Sequence, residues 1–413
     1  MSSTPQSVAP SSPKIASLNE KTRLLNQPLA VWAVFFASII AFMGMGLVNP
    51  IMRELSTKLH ATPSEVTLLF TSYNAVMAVA MLITGTVSSR LGHKLTLLTG
   101  IGIIAVVSAL GGFAENIWTL VGLRGVWGLG NALFVATALA AIVSLSNSGT
   151  AKSIILYEAA VGLGISIGPL LGGSLGSITW RAPFLGAATL MLIAFVILTS
   201  FMPRGNPQNL DTSKTSLLEP FHAMKHRSLS VLGILAALYN VGFFTLMAYA
   251  PFVIGLHPKG LGFVFLGWGS LLAITSVFMA PKLQELMGTI KAMVLMLILF
   301  VLDLAVIGIF TSTQWVVVAG VIFSGAILGN INTLITTAVM EAAPVERSTA
   351  SAAYSFLRFT GAAISPFMAA KLAEFFNPHV PFLVGAGFVL LSVLFVWFNY
   401  RHIKHVDHAS STH

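Results

Sequence analysis

The sequence predicts an all-α membrane protein of twelve transmembrane helices, arranged as two pseudo-symmetric six-helix halves. Three observations support this prediction. Of the 413 residues, 56% are hydrophobic and 8% are charged, whereas soluble domains carry about 25% charged residues. The chain contains twelve apolar runs, each close to the roughly 20 residues that a helix needs to cross a bilayer. Several residues of the first six runs also recur, in the same order, in the last six.

The predicted spans form two groups of six. The first group is 29–52, 64–88, 95–114, 117–146, 153–176 and 182–202. The second group is 228–256, 260–281, 289–311, 314–341, 348–375 and 380–399. We therefore predict an N-terminal bundle at 29–202, a cytoplasmic linker at 203–227 and a C-terminal bundle at 228–399. The Ser- and Pro-rich residues 1–28 predict a disordered tail, and residues 400–413 form a second predicted tail.

The distribution of Lys and Arg predicts the orientation. With both termini on one side, fifteen of the 22 Lys and Arg residues fall on that side, five fall on the other side, and two lie inside helices. Cytoplasmic loops of membrane proteins carry an excess of these residues. We therefore expect both termini in the cytoplasm.

An internal repeat relates the two halves. A shift of 197 positions superposes three pairs of identical residues: Tyr157 and Tyr354, Gly164 and Gly361, and Pro169 and Pro366. The tripeptide Leu-Gly-Asn that ends at Asn131 recurs at Asn330. Duplicated six-helix halves are common among secondary transporters.

Residues 85–94 join the second and third spans and combine glycines with cations, which is typical of a tight cytoplasmic turn. Topology alone would attract Lys and Arg to this loop. Four positions, Gly85, Arg90, Gly92 and Lys94, resemble the loop signature of the major facilitator superfamily, G-x-L-a-D-R-x-G-R-K. The acidic position of that signature holds Ser89. In the family this carboxylate helps to lock the cytoplasmic side shut, so the resemblance implies a weaker or differently built lock.

The fourth span contains a buried arginine. At about 100° per residue, Arg124, Gly128 and Asn131 share one helix face, and an arginine inside a membrane usually faces the interior or a wet cavity. The alternative is a structural arginine whose N–H groups donate hydrogen bonds to backbone carbonyls. The pattern resembles the family motif R-x-x-Q-G-x-G, with Trp127 in place of Gln. The resemblance implies a role for Arg124 in proton handling or substrate binding.

The fifth span is dense in small residues, which let helices approach closely. Packing alone would explain them. The residues Gly164, Gly168, Pro169, Gly172 and Gly173 also match every position of G-x-x-x-G-P-x-x-G-G, the antiporter motif of major facilitator exporters. The resemblance implies export as well as fold.

Glu158 precedes this motif on the helix face that carries Gly162 and Pro169, away from Leu163. Carboxylates inside membranes are rare, and proton relays are a common reason for them. We hypothesise that Glu158 carries a proton and that Arg124 modulates it. A static ion pair or a hydrogen-bonded glutamate is the alternative.

The other embedded charges are Arg358 on the inward face of the eleventh span and Asp303 on a bulky face of the ninth. We interpret Asp303 as structural. In the family, eight helices line a central cavity, and the resemblance gives ten candidate substrate-binding residues: Asn49, Tyr73, Asn74, Asn131, Tyr157, Tyr239, Asn240, Asn330, Tyr354 and Arg358. Tyr249 and Asn332 are further polar positions of this kind.

The chain is most similar to the twelve-helix drug:proton antiporters of the superfamily. The resemblance implies proton-coupled efflux of small, amphipathic molecules by a monomer in a bacterial cytoplasmic membrane. Two alternatives remain open: an exporter of a sugar, siderophore, amino acid or lipid, and a receptor or scaffold that moves nothing. No nucleotide-binding loop of the form G-x-x-x-x-G-K-[ST] is present. We predict no enzyme activity, metal or cofactor, and no nucleic-acid binding, since no basic stripe is interleaved with aromatic residues.

Overall fold

The apolar runs form long helices in the computed structural model, which describes residues 27–147, 150–203, 219–342, 347–404 and 406–407. The first half contains α1 (Leu29–Gly46), α4 (Ile117–Leu145), α5 (Thr150–Gly176) and α6 (Ala182–Phe201). The continuous stretch Pro63–Gly112 contains α2 (63–91) and α3 (93–112). The predictions for residues 1–26, 204–218 and 408–413 lie outside the described residues.

The second half contains α7 (Arg227–Ile254), α8 (Pro258–Ile274), α9 (Thr289–Ile309), α10 (Gln314–Ala342), α11 (Arg347–Phe375) and α12 (Val380–Ile403). A short helix, Glu219–Ala223, precedes α7. This order agrees with the predicted all-α fold of two six-helix halves.

Ten helices of the described chain are long and apolar enough to cross a membrane. Pro63–Gly112 counts once among them, although it contains two spans that meet at Gly92. α11 is outside the ten because Arg358, Lys371 and Glu374 interrupt its apolar residues. It packs between α2 and α7 of the two halves, so protein covers much of a helix that lipid alone would not accept.

The chain turns from α2 to α3 at Gly92, whose φ of +77° and ψ of 159° are outside the helical region. This conformation is essentially restricted to glycine. Gly85, the first glycine of the loop signature, lies within α2, in agreement with the predicted span 64–88. A Cβ atom on Gly85 would meet nothing within 4 Å. Of the two glycines in the loop signature, only Gly92 has a backbone conformation that requires glycine.

Two predicted spans differ from the observed helices at prolines. The predicted span 29–52 ends as a regular helix at Gly46 and continues through a 3₁₀ turn at Asn49–Ile51 to a short helix, Met52–Lys58. The predicted span 260–281 continues through π-helical Thr275–Met279 to Met287. Both irregularities lie beside a proline, Pro50 in the first and Pro281 in the second. A proline has no N–H to donate within a helix, so the regular hydrogen-bond pattern is interrupted there.

Each half has its own apolar core. One cluster consists of buried residues between 31 and 202 together with Ala248, and the other consists of buried residues between 223 and 406. These clusters support the proposed division into bundles at 29–202 and 228–399. The halves meet mainly along two helix pairs, α5 with α8 and α2 with α11.

The internal repeat corresponds to equivalent contacts. A Cβ atom on Gly128 of α4 would overlap the carbonyl oxygen of Tyr73 on α2. A Cβ atom on Gly325 of α10, 197 positions later, would overlap the carbonyl oxygen of Trp268 on α8. Glycine therefore brings the helix backbones together at the same place in both halves.

Candidate functional site

The small residues of α5 form a ridge against α1. A Cβ atom on Gly164 would lie 2.6 Å from the carbonyl oxygen of Ile39, and one on Gly168 would lie 2.5 Å from that of Met43. Gly172 makes the same kind of contact one turn further along. The glycines and the carbonyls both repeat every four residues, so the two backbones touch over successive turns. No larger side chain fits there without moving a helix.

The same motif also reaches the other half of the molecule. A Cβ atom on Gly173 would overlap the carbonyl oxygen of Pro258 at the start of α8. A Cβ atom on Gly262 of α8 would lie 2.9 Å from the carbonyl oxygen of Pro169. Pro169 itself lies against Gly46 of α1, with 2.7 Å between its Cδ and a Cβ placed on that glycine. The antiporter motif therefore lies where α1, α5 and α8 meet.

The cations of the loop signature contact the first half. Lys94 Nζ donates to the carbonyl oxygens of Thr199, at 2.9 Å, and Met202, so it caps the C-terminal end of α6. Ser89 Oγ donates to the carbonyl oxygen of Thr86 at 3.0 Å within its own helix. Among the described side chains, Arg90 forms no ion pair. Ser89 therefore supplies no inter-half contact in place of the expected carboxylate.

Arg124 is part of a buried cluster on α2 and α4. Its side chain is 2% exposed, and its Cζ lies 4.8 Å from the ring centroid of Tyr73 and 4.6 Å from that of Trp127. Asn131 Nδ2 donates to the hydroxyl of Tyr73 at 2.5 Å. Nε and Nη1 of Arg124 are buried without a hydrogen-bond partner. Aromatic faces rather than backbone carbonyls therefore surround this guanidinium.

Glu158 has an exposed side chain on α5 that faces the other half. One turn further along, a Cβ atom on Gly162 would lie 3.2 Å from Cβ of Ala273 on α8. The Glu158 carboxylate interacts electrostatically with Arg358 of α11, although the two form no direct ion pair among the described contacts. α5 and α11 do not pack extensively against each other. The acid and the base therefore lie near each other on opposite halves, without a direct ion pair among the described contacts.

Arg124 and Glu158 are not brought together. Arg124 lies two turns from the start of α4, and Glu158 lies two turns from the start of α5 at the other end of the bundle. With a rise of 1.5 Å per residue, their depths differ by roughly 20 Å. The electrostatic neighbour of Arg124 is Tyr73. The expectation that Arg124 modulates Glu158 directly is therefore not supported by the structure.

Arg358 belongs to a polar cluster formed by α7, α10 and α11. Asn332 Oδ1 accepts hydrogen bonds from the hydroxyl of Tyr239 at 2.7 Å and from Nη2 of Arg358 at 3.2 Å. The hydroxyl of Tyr354 adjoins both Tyr239 and Arg358. Nε of Arg358 is buried without a partner. Sequence reasoning selected three of these four residues as substrate-binding candidates and gave Asn332 less weight, although its amide connects the others.

Six of the predicted substrate-binding residues have a buried side-chain oxygen without a hydrogen-bond partner: Asn49, Asn74, Asn131, Asn240, Asn330 and Tyr354. The amide nitrogens of Asn74, Asn240 and Asn330 donate at 2.8–2.9 Å to the carbonyl four residues earlier. Tyr157 has a different position, because its hydroxyl donates to the carbonyl oxygen of Val135 at 3.4 Å and its ring packs edge-on against Phe42. Tyr157 therefore joins α5 to α4 and α1.

Two hydrogen bonds that the structure describes between the halves were not predicted. Arg53 Nη1 donates to the carbonyl oxygen of Gly255 at 3.0 Å. Glu374 Oε1 accepts from the backbone N–H of Ser64 at 2.9 Å, and its Oε2 pairs with Lys371 at 2.8 Å. We call this end of the bundle the Arg53 end, and the end that holds the α2–α3 turn the Gly92 end. No sequence pattern connects residues that are 202 or 310 positions apart.

The sequence model of the family described as Major Facilitator Superfamily matches residues 34–366 and 254–412. The chain belongs to the major facilitator superfamily. This identification confirms both the resemblance and the predicted fold, and it makes the protein a member of a family of multi-pass membrane transporters.

Curated relatives of this major facilitator protein include exporters. The chain is 49% identical over 390 residues to the multidrug efflux protein YfmO of Bacillus subtilis strain 168, covering 94% of this chain and 98% of the relative. It is 24% identical over 384 residues to the quinolone resistance protein NorA of Staphylococcus aureus, covering 90% and 97%.

Solved structures of major facilitator proteins share the fold. The nucleoside transporter NupG superposes with a TM-score of 0.73 at 12% identity, covering 88% of this chain and 98% of that one. A bacterial homologue of the human lysosomal transporter Spinster, in an inward-facing and unoccupied conformation, superposes with a TM-score of 0.67 at 15% identity, covering 93% and 96%. At these identities the likeness concerns the fold alone.

Proposed function

We propose that the protein exports small, amphipathic molecules in exchange for protons, and that Glu158 carries the proton. The observation that carries this proposal is the position of Glu158, an exposed carboxylate between the halves whose electrostatic partner, Arg358, belongs to the other half. A change in the gap between the halves changes the field at Glu158. Proton affinity is thereby linked to conformation, as coupling requires.

The packing around α5 supports alternating access. Gly164 and Gly168 hold α5 tightly to α1 within the first half. The contacts of Pro169 and Gly173 with α8 lie between the halves. When one bundle rocks against the other, α5 and α1 move together and α5 slides against α8. In transporters built from repeats, such rocking gives access alternately from the two sides.

The described conformation is proposed to be closed at the Arg53 end and accessible from the Gly92 end. Both hydrogen bonds described between the halves lie at the Arg53 end. Glu158, two turns into α5 from the Gly92 end, is exposed. The excess of Lys and Arg at the Gly92 end supports a cytoplasmic location for it and for both termini. The conformation is then inward-facing.

The relatives support the proposed direction of transport, which is export, and a range of several substrates. The chain matches a multidrug efflux protein at 49% identity over nearly the full length of both chains. The antiporter motif is intact and packed at the junction of three helices. A proton that crosses 100 mV releases about 2.3 kcal/mol, which is enough to drive a modest substrate gradient without a nucleotide.

Proteoliposomes that contain entrapped pyranine test the proposal. After a pH gradient is imposed, a panel of cationic, neutral and anionic amphiphiles is added, and compounds that accelerate collapse of the gradient are substrates. Glu158→Gln is expected to abolish the substrate-dependent collapse. The matched control is Asp303→Asn, which removes the acid of α9 from a site between α9 and α10. Undiminished collapse in Glu158→Gln would refute the assignment of the proton to Glu158.

A further inference from the structure

We infer that the cluster around Arg124 is a binding site for a small monovalent anion such as chloride. The cluster consists of Tyr73 on α2 with Arg124, Trp127 and Asn131 on α4. All four side chains are at most 3% exposed. The site lies near the Arg53 end, at a depth roughly 20 Å from Glu158, and is therefore separate from the proposed proton site.

The charge of Arg124 has no acidic counterion in the described part of the chain. Its only resolved electrostatic partner is the neutral phenol of Tyr73. Taking an ion of this kind out of water costs several kcal/mol unless an opposite charge and hydrogen bonds compensate it. The two aromatic faces at 4.6 and 4.8 Å recover only a part of this cost. An anion supplies the missing compensation.

The polar atoms of the cluster are mainly donors. Nε and Nη1 of Arg124 and Nε1 of Trp127 are buried and have no hydrogen-bond acceptor. Tyr73 accepts from Asn131 Nδ2, so the phenolic O–H remains available as a further donor. The unpartnered acceptor is Asn131 Oδ1, which belongs to a neutral amide. A set of N–H and O–H donors around a positive charge is the environment that binds an anion.

The packing restricts the size of the anion. Gly128 brings α4 against the backbone of α2, where a Cβ atom would overlap the carbonyl oxygen of Tyr73. Gly44 of α1 lies against the Trp127 ring, with 2.9 Å between Cζ2 and a Cβ placed on that glycine. Arg124 is 2% exposed. These contacts favour a monatomic or small planar anion and exclude the head group of an amphiphilic substrate.

Thermal unfolding of the full chain in detergent, at constant ionic strength, tests the site. Chloride is titrated against gluconate, which is too large for the cluster. We expect a saturable rise in Tm of about 3 °C or more, because a ligand that binds only the folded state stabilises it. Nitrate is expected to substitute for chloride. Bromide provides a direct readout as an anomalous scattering peak beside Arg124.

Two variants and one control distinguish this site from a general salt effect. Arg124→Gln is expected to lose the chloride dependence. Trp127→Phe keeps a ring but removes the Nε1–H donor. It is expected to bind chloride more weakly, with a half-saturation concentration about tenfold higher than that of the parent. The control is Arg181→Gln, since Arg181 also stacks on a tryptophan, at 4.9 Å, but donates to the carbonyl oxygen of Ala114.

The result that overturns the inference is a Tm that is equal in chloride, nitrate and gluconate, which would mean that Arg124 is compensated by water alone. Equal loss of the chloride dependence in Arg181→Gln overturns it as well. Anion binding is measured here without transport or a pH gradient, so the result is independent of whether Glu158 carries a proton.

Discussion

Arg53 and Gly255 form a hydrogen bond that connects the two halves, from Nη1 of the guanidinium to the carbonyl oxygen at 3.0 Å. Arg53 belongs to the short helix that follows α1, and Gly255 is the C-cap of α7 in the left-handed conformation, with φ of +67°. A cation at the C-terminal end of a helix also interacts favourably with the helix dipole. In the transport mechanism that we propose, this contact holds the Arg53 end closed.

Arg53→Gln is expected to favour opening at the Arg53 end, because it removes the charge from this hydrogen bond. The chain contains no cysteine, so Lys58→Cys and Lys259→Cys introduce spin-label sites without background labelling. Both positions are exposed and lie on opposite halves. In Arg53→Gln, the fraction of molecules with a longer distance between the labels is expected to be several-fold larger than in the parent.

The control for this measurement is Arg181→Gln. This variant removes a cation at the same end whose hydrogen bond, among the described contacts, is to Ala114 of the first half. Identical distance distributions for the parent and Arg53→Gln would show that the contact with Gly255 does not hold the halves together.

Gly168→Val is expected to abolish transport, because a Cβ on Gly168 would lie 2.5 Å from the carbonyl oxygen of Met43 and would separate α5 from α1. Gly122→Ala is the matched control, since a Cβ on this glycine of α4 meets nothing within 4 Å. Transport in proteoliposomes, normalised to the amount of folded protein by size-exclusion chromatography, checks both. Normal transport by Gly168→Val would contradict the role of the ridge.

Gly92→Ala and Gly85→Ala are expected to differ, although both glycines match the loop signature. Gly92 has a φ of +77°, and an alanine forced into this conformation costs on the order of 1–3 kcal/mol. Gly85 is helical and has free space around it, so alanine there is expected to stabilise the helix by about 1 kcal/mol. Thermal unfolding of the two variants measures the difference, and equal destabilisation would contradict this assignment of the turn.

The sequence was sufficient for the helices and for the general positions of the polar residues. Runs of apolar residues must form helices because lipid cannot satisfy backbone polar groups, and the wheel position of Glu158 predicted that it faces away from lipid. The spacing of Gly164, Gly168 and Gly172 indicated close packing. These predictions depend on local periodicity, which does not require knowledge of the partner helix.

Contacts between distant residues could not be predicted from the sequence. The hydrogen bond between Arg53 and Gly255 joins positions 202 residues apart, and no local pattern specifies it. The family resemblance of the fourth span assigned Arg124 to proton handling, and the embedded position of Glu158 predicted a proton carrier, so the two were expected to act together. Their separation follows from the antiparallel course of α4 and α5, which places one near each end of the bundle. Family resemblance pointed to Gly85, but backbone geometry requires only Gly92.

If Glu158 carries the proton that is exchanged for substrate, as we propose, it gives up this proton when substrate binds. The most direct test is proton release from detergent-solubilised protein in weakly buffered solution, followed with a pH-sensitive dye, when a compound identified by the pyranine screen is added. We expect about one proton released per protein molecule in the parent and in Asp303→Asn, and none in a Glu158→Gln variant that still binds the compound. Equal proton release from Glu158→Gln and the parent would show that Glu158 is not the proton carrier.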